Sequence, residues 1–179
     1  MDEASDEQLM QRVAQGDEPA FRLLAARYAP RAIGLARRIT GNDADAEEVV
    51  QEALLRLWVN APRWRPLAAF RTWFYRIVLN LCLGRRRRAP FVPWEAAGDP
   101  IDPAPGPAAV LEQKQSEQAL AAAIGTLPER QRAAIVLTYH EGLGNAEAAA
   151  ILNTSISSLE ALLVRAKRAL RQELAGRDP

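Results

Sequence analysis

Apolar side chains recur along the first half of the chain at steps of three and four, the period of helices with one buried face. Leu9, Met10 and Val13 form such a stripe behind Ser5 and Gln8, which have the spacing of a capping box. Asp17 is placed to cap a second helix that carries Phe21, Leu24 and Tyr28 on one side. The segment GNDADAEE then turns the chain, and Val49, Val50, Ala53, Leu54 and Leu57 mark the buried stripe of a third helix. The polar residues Asp45, Glu48, Gln51, Glu52 and Arg56 fall mostly on its other side. A fourth helix, from about Ala69, turns Phe70, Trp73, Phe74, Ile77, Val78 and Leu81 inward. No window alternates apolar and polar residues between Gly or Asn turns, so the pattern predicts an all-α fold.

Prolines divide the chain. Six of the twelve lie between Ala89 and Pro107, where proline removes backbone donors and extends the residue before it. This predicts a flexible linker over 90–110 joining two small helical domains, an amino-terminal bundle at 1–89 and a second unit at 111–179. Residues 108–125 are alanine-rich and read as helical. Pro128 suits the first turn of the next helix, and EGLG ends it at glycine. A short helix over Asn145–Leu152 and the turn NTS lead to a last helix with Ile156, Leu159, Leu163, Ala166 and Leu170 in one stripe. Helix, tight turn, helix is the arrangement of a DNA-binding helix-turn-helix, although any αα-hairpin shares it.

Charge changes the picture more than composition does. The 179 residues carry a formal charge of only +1, yet residues 61–90 hold eight basic side chains and no acidic one. They are Arg63, Arg65, Arg71, Arg76, Arg85, Arg86, Arg87 and Arg88. One or two cations at the end of the fourth helix would suffice to oppose its dipole, whereas eight predict a site for a polyanion. Six of the eleven aromatic residues lie beside this block. Phe70, Trp73 and Phe74 belong to the inward stripe, which leaves Trp64, in the loop APRWRPLAAF, as the candidate for stacking on an unpaired base.

The remaining residues argue against other classes. One cysteine and one histidine exclude a disulfide scaffold and a multi-ligand Cys/His zinc site, so no metal or cofactor is expected. Cys82 reads as a small core residue and His140 as a capping or surface residue. Glycine-rich phosphate loop, nucleophile elbow and HExxH are all missing, and the chain reads as no enzyme. The acidic start MDEASDEQL lacks the apolar core of a secretory signal, and no apolar stretch approaches the roughly 20 residues that span a bilayer. A cytoplasmic protein without membrane insertion is expected.

Three segments in order, DAEEVVQEALLRLW (Asp45–Trp58), FRTWFYRIVLNLCLGRRRR (Phe70–Arg88) and LPERQRAAIVLTYHEGL (Leu127–Leu143), closely resemble bacterial sigma factors of the extracytoplasmic-function group of the sigma-70 family. The resemblance covers nearly the whole chain. It implies a subunit that binds core RNA polymerase, through its largest and second-largest subunits, and confers promoter recognition under the control of an anti-sigma factor. By the match, Asp45, Glu48, Gln51, Glu52 and Arg56 dock on the polymerase. Arg63, Trp64, Arg65, Arg71, Arg76, Asn80 and Arg85, Arg86, Arg87 and Arg88 recognise and melt the minus-ten DNA, with Asn80 reading a base edge. Ser157, Ser158, Glu160, Ala161, Leu162, Arg165, Lys167, Arg168 and Arg171 meet the minus-thirty-five DNA.

The chain departs from the family pattern at a few positions. Gly84 stands where many members carry aspartate, and Glu160 and Leu162 where many carry lysine and arginine. Asn153 replaces a frequent turn glycine, a swap that suits a left-handed conformation. Two other readings stay open at this level. A non-sigma helix-turn-helix regulator would need a ligand pocket in the amino-terminal half. A sigma mimic that sequesters an anti-sigma factor would have eroded basic residues. Whether the two domains pack together or splay apart is not legible in the pattern.

Overall fold

The structure is a computed structural model that describes residues 4–85, Val92 and residues 107–176. Four helices form the amino-terminal part: α1 (Asp6–Val13), α2 (Glu18–Thr40), α3 (Asp43–Asn60) and α4 (Phe70–Leu83). Four more follow: α5 (Pro107–Thr126), α6 (Glu129–Ile135), α7 (Asn145–Ile151) and α8 (Ile156–Ala175). There is no strand among the described residues. Helix α5 begins at Pro107, inside the stretch read as linker; proline is tolerated in a first helical turn, where its missing N–H has no partner to lose.

Local signals set the boundaries. Ser5 and Gln8 make a reciprocal capping box on α1, and Asp17 and Asn42 accept backbone N–H bonds at the starts of α2 and α3. Gly41, left-handed at φ 70°, ends α2 and lets α3 start two residues later. Between α6 and α7 the sequence expectation missed a widened turn. Over Val136–His140 the helix loosens, and the Glu141 N–H bonds to the Val136 carbonyl, five residues back, at 2.9 Å.

The helices share one continuous apolar core that runs from Leu9 to Ala166 and includes residues from both halves of the chain. On α4 this shifts the buried face. Phe70, Phe74 and Val78 are buried as expected, but so are Tyr75, Leu79 and Cys82, while Trp73, Ile77 and Leu81 are only half-buried. A helix buried on a second side must pack against a second body, and α7 and α6 supply it. Aromatic edges tie α2 into the same core: Tyr28 meets Phe70 at 5.0 Å between ring centroids and Phe74 at 5.9 Å. The Tyr28 hydroxyl donates to Asp6, whose other oxygen accepts from Arg27 at 2.6 Å, so α1 is fastened to α2.

Arg132 is the largest fully buried side chain, 1% exposed. Its guanidinium donates to the carbonyls of Ile124 (3.2 Å), Gly125 (2.8 Å) and Leu127 (2.9 Å), closing the end of α5, where helical carbonyls otherwise lack partners. It also donates to Ile39 at the end of α2, at 2.5 Å, and so pins the carboxyl-terminal half to the amino-terminal one.

Burial pushes the Cys82 thiol up to about 12. A protonated thiol is a poor nucleophile, so native protein at pH 8 is expected to resist iodoacetamide and to react only once unfolded. Labelling at the native rate of a free thiol would contradict the burial.

Candidate nucleic-acid interface

Between α3 and α4 the chain makes a short 3₁₀ turn at Ala61–Arg63 and an exposed loop to Ala69. The loop leaves a cleft of about 520 Å³ whose walls include Trp64, Leu67, Trp73 and Ile77, with Arg56, Arg63, Arg65 and Arg76 around it. Trp64 is half-buried and meets Trp73 edge-on, ring centroids 6.4 Å apart at 65°. Its indole N–H is buried without a hydrogen-bond acceptor. Flat apolar walls beneath a rim of guanidinium groups suit an unstacked base and its phosphates. Asn60, which also lines the cleft, holds its amide against the Arg56 carbonyl at 2.7 Å. The sequence reading missed Asn60, Leu67 and Ile77 here; the run of polar and small residues in the loop was the one signal available. Asn80 is exposed one turn beyond Arg76 and does not line the cleft.

The arginines expected at this surface divide into groups. Arg63 and Arg65 are exposed at the cleft. Arg71 and Arg76 instead face the other half of the chain. Arg71 donates two bonds to the Glu147 carboxylate on α7, at 2.9 and 2.7 Å, and Arg76 donates to the Ala150 carbonyl at 2.9 Å. Arg85 turns back onto α3, pairing with Asp45 at 3.3 Å and with Glu48. This corrects two expectations. Arg85 is not held out toward DNA, and Asp45, only 7% exposed, is not on an outward face. A carboxylate in the first turn of a helix, flanked by an arginine, is favoured by both the helix dipole and the pair. Arg86, Arg87 and Arg88 lie outside the described residues.

The outward side of α3 carries Gln51 and Arg56, fully exposed, and Glu52, which pairs with Arg56 at 2.9 Å. It also carries Leu55 and Val59, 56% and 64% exposed, which the sequence reading passed over. Gln51, Leu55 and Val59 recur every four residues and make an apolar ridge among polar neighbours. Such a ridge costs free energy in water and gains by being covered.

At the other end, α7 and α8 cross at 96°, within the range of a helix-turn-helix. The turn depends on Asn153 at φ 51°, a left-handed position that asparagine tolerates. Ser155 caps α8 by accepting the Ser158 N–H at 3.1 Å. Ser157, Ser158, Glu160, Ala161, Arg165, Lys167, Arg168 and Arg171 are exposed on α8. Leu162 is half-buried and packs on the core rather than standing clear, and Ile156, expected inside, is 48% exposed. Glu160 accepts from the Asn145 amide at 3.4 Å, and the Lys167 ammonium sits 4.8 Å from the Tyr139 ring centroid. Among the described residues no single helix is long and apolar enough to cross a membrane.

Comparison with known proteins agrees with this arrangement. The sequence matches the family profile of sigma-70 region 2 over residues 24–90 and that of sigma-70 region 4 over residues 117–170. It is 34% identical over 169 residues to the ECF RNA polymerase sigma factor SigE of Mycolicibacterium smegmatis, covering 90% of this chain and 65% of that protein. It is 30% identical over 183 residues to the RNA polymerase sigma-H factor of Pseudomonas aeruginosa, covering 94% of this chain and 93% of the relative. The fold matches that of CnrH, solved in complex with the cytosolic domain of CnrY, with a TM-score of 0.71 and 29% identity over 98% of this chain and all of that one. With two region profiles in order, full-length relatives and a shared fold, the chain belongs to the sigma-70 family, among its extracytoplasmic-function sigma factors.

Proposed function

We propose that this sigma factor, acting in the cytoplasm by binding rather than by catalysis, joins core RNA polymerase and directs it to promoters. Residues 1–89 carry polymerase docking and the recognition and melting of the minus-ten element. Residues 111–179 read the minus-thirty-five element, and 90–110 link the two. The observation that carries the reading is the cleft between α3 and α4, with Trp64 and Trp73 beneath four arginines and the exposed α3 ridge beside it. A melted strand needs stacking partners for its bases and cations for its phosphates, and the cleft offers both. Asn80 stands beyond it to read a further base edge, and Arg165, Lys167, Arg168 and Arg171 on α8 meet duplex phosphates. CnrH was solved with the cytosolic domain of another protein, CnrY. By likeness, an anti-sigma polypeptide is the expected controlling partner here.

Run-off transcription with core polymerase on promoter fragments from the native host tests the reading. Transcripts that start at discrete sites only when the protein is added are expected; their absence from every fragment would overturn it. Replacing Gln51 and Leu55 together with alanine is expected to weaken core binding about tenfold or more while the helical circular dichroism is kept, because hot-spot side chains at a protein interface carry roughly 1–2 kcal/mol each. Unchanged affinity would mean the docking face lies elsewhere.

A further inference from the structure

The face of α4 that the preceding reading assigns to promoter DNA is already occupied. Helix α7 lies on it, and its contacts have the chemistry that a nucleic-acid backbone would bring. Arg71 holds Glu147 by two parallel N–H···O bonds, the fork geometry with which arginine takes a phosphate. Arg76 spends its Nε–H on the Ala150 carbonyl at the end of α7. Between these two polar contacts Tyr75 and Leu79 are buried. We infer that α7 is an internal stand-in for promoter DNA, with the Glu147 carboxylate in the place of a phosphate, so that the free chain keeps its minus-ten surface closed. This rests on α4 being the minus-ten helix.

Two further observations support the inference. The α8 residues expected to read duplex DNA stay exposed, so the contact closes one DNA surface and not the other. The packed arrangement also conflicts with reading both elements at once. Elements 25 base pairs apart lie roughly 85 Å apart along a duplex that rises 3.4 Å per base pair, whereas α4 and α7 touch. Promoter binding therefore requires that α7 leave α4. The apparent affinity of the free protein for a melted strand is lowered by the fraction of molecules that are closed.

The test uses the full chain without polymerase and a fluorescein-labelled twelve-nucleotide thymidine oligomer, since stacking and phosphate contacts tolerate any sequence. Glu147→Gln is expected to bind the oligomer about fivefold tighter than wild type, in line with loss of one partly buried charge pair. Its radius of gyration in small-angle X-ray scattering is expected to rise. The exchanged pair Arg71→Glu with Glu147→Arg should restore the compact radius. Saturating oligomer should expand the wild-type particle, a measurement that needs no variant to fold. Equal affinity of Glu147→Gln and wild type, or a wild-type radius unmoved at saturation, overturns the inference. Arg76→Ala separates this failure from failure of the underlying reading. If it weakens oligomer binding while Glu147→Gln changes nothing, the surface reads DNA but is not closed. If it leaves binding unchanged in both backgrounds, the surface is not a DNA site and the inference falls with it.

Discussion

Replacing Arg132 with methionine is expected to destabilise the protein by about 3–5 kcal/mol, a large part of the 5–15 kcal/mol that holds an ordinary domain folded. Methionine fills much of the space of the arginine stem, so the loss is one of hydrogen bonds rather than volume. Four carbonyls, of Ile39, Ile124, Gly125 and Leu127, would lose their buried donor. A buried acceptor left unsatisfied costs about 1–3 kcal/mol, and some would recover by admitting water. Lysine should rescue little, since one ammonium cannot reach carbonyls that a planar fork spans. Urea unfolding followed by circular dichroism measures the effect. A loss under about 1 kcal/mol for Arg132→Met would show that the carbonyls find other partners and that the bond to Ile39 does not hold the two halves together.

The second large effect is expected at Trp64. Each base stacked on an aromatic ring is worth about 1–3 kcal/mol, so Trp64→Ala should reduce promoter opening by up to roughly a hundredfold. Binding of closed duplex DNA through α8 should be spared. Permanganate reactivity of unpaired thymines, in complexes with polymerase, reports opening directly. The Trp64 ring also packs on the core, so circular dichroism and the melting temperature must be compared. Trp64→Phe, which keeps a stacking face but not the indole N–H, should retain much of the opening. Wild-type opening by Trp64→Ala would remove the cleft between α3 and α4 from the melting mechanism.

Much of this protein is written in short-range pattern. Helix α1 opens on its capping box, Asp17 caps α2, α4 starts after Ala69, and Asn153 takes the left-handed turn before α8, each as the local residues dictate. These features depend on neighbours within about four residues, which is the range over which caps, turns and helical stripes act. The all-α class and the basic block follow from the same range, and the order of the three family-like segments was enough to indicate a sigma factor.

What the chain could not disclose was which faces meet across long separations. The pattern on α4 marks one apolar stripe; that Tyr75, Leu79 and Cys82 are buried as well follows from α7 and α6 packing against it. Asp45, Glu48 and Arg85 read as three free charges until the ends of α3 and α4 come together. Arg71 and Arg76 carry the same charge as Arg63 and Arg65, yet the first pair is engaged by α7 and the second faces solvent. By itself, then, the sequence determined the helices, their caps, the two-part organisation and the family. The tertiary structure alone decided which arginines are available and that the two parts share one core. The physical reason is that helical periodicity reports only that a face is apolar or charged, whereas the partner that buries or neutralises it lies dozens of residues away and is chosen by packing.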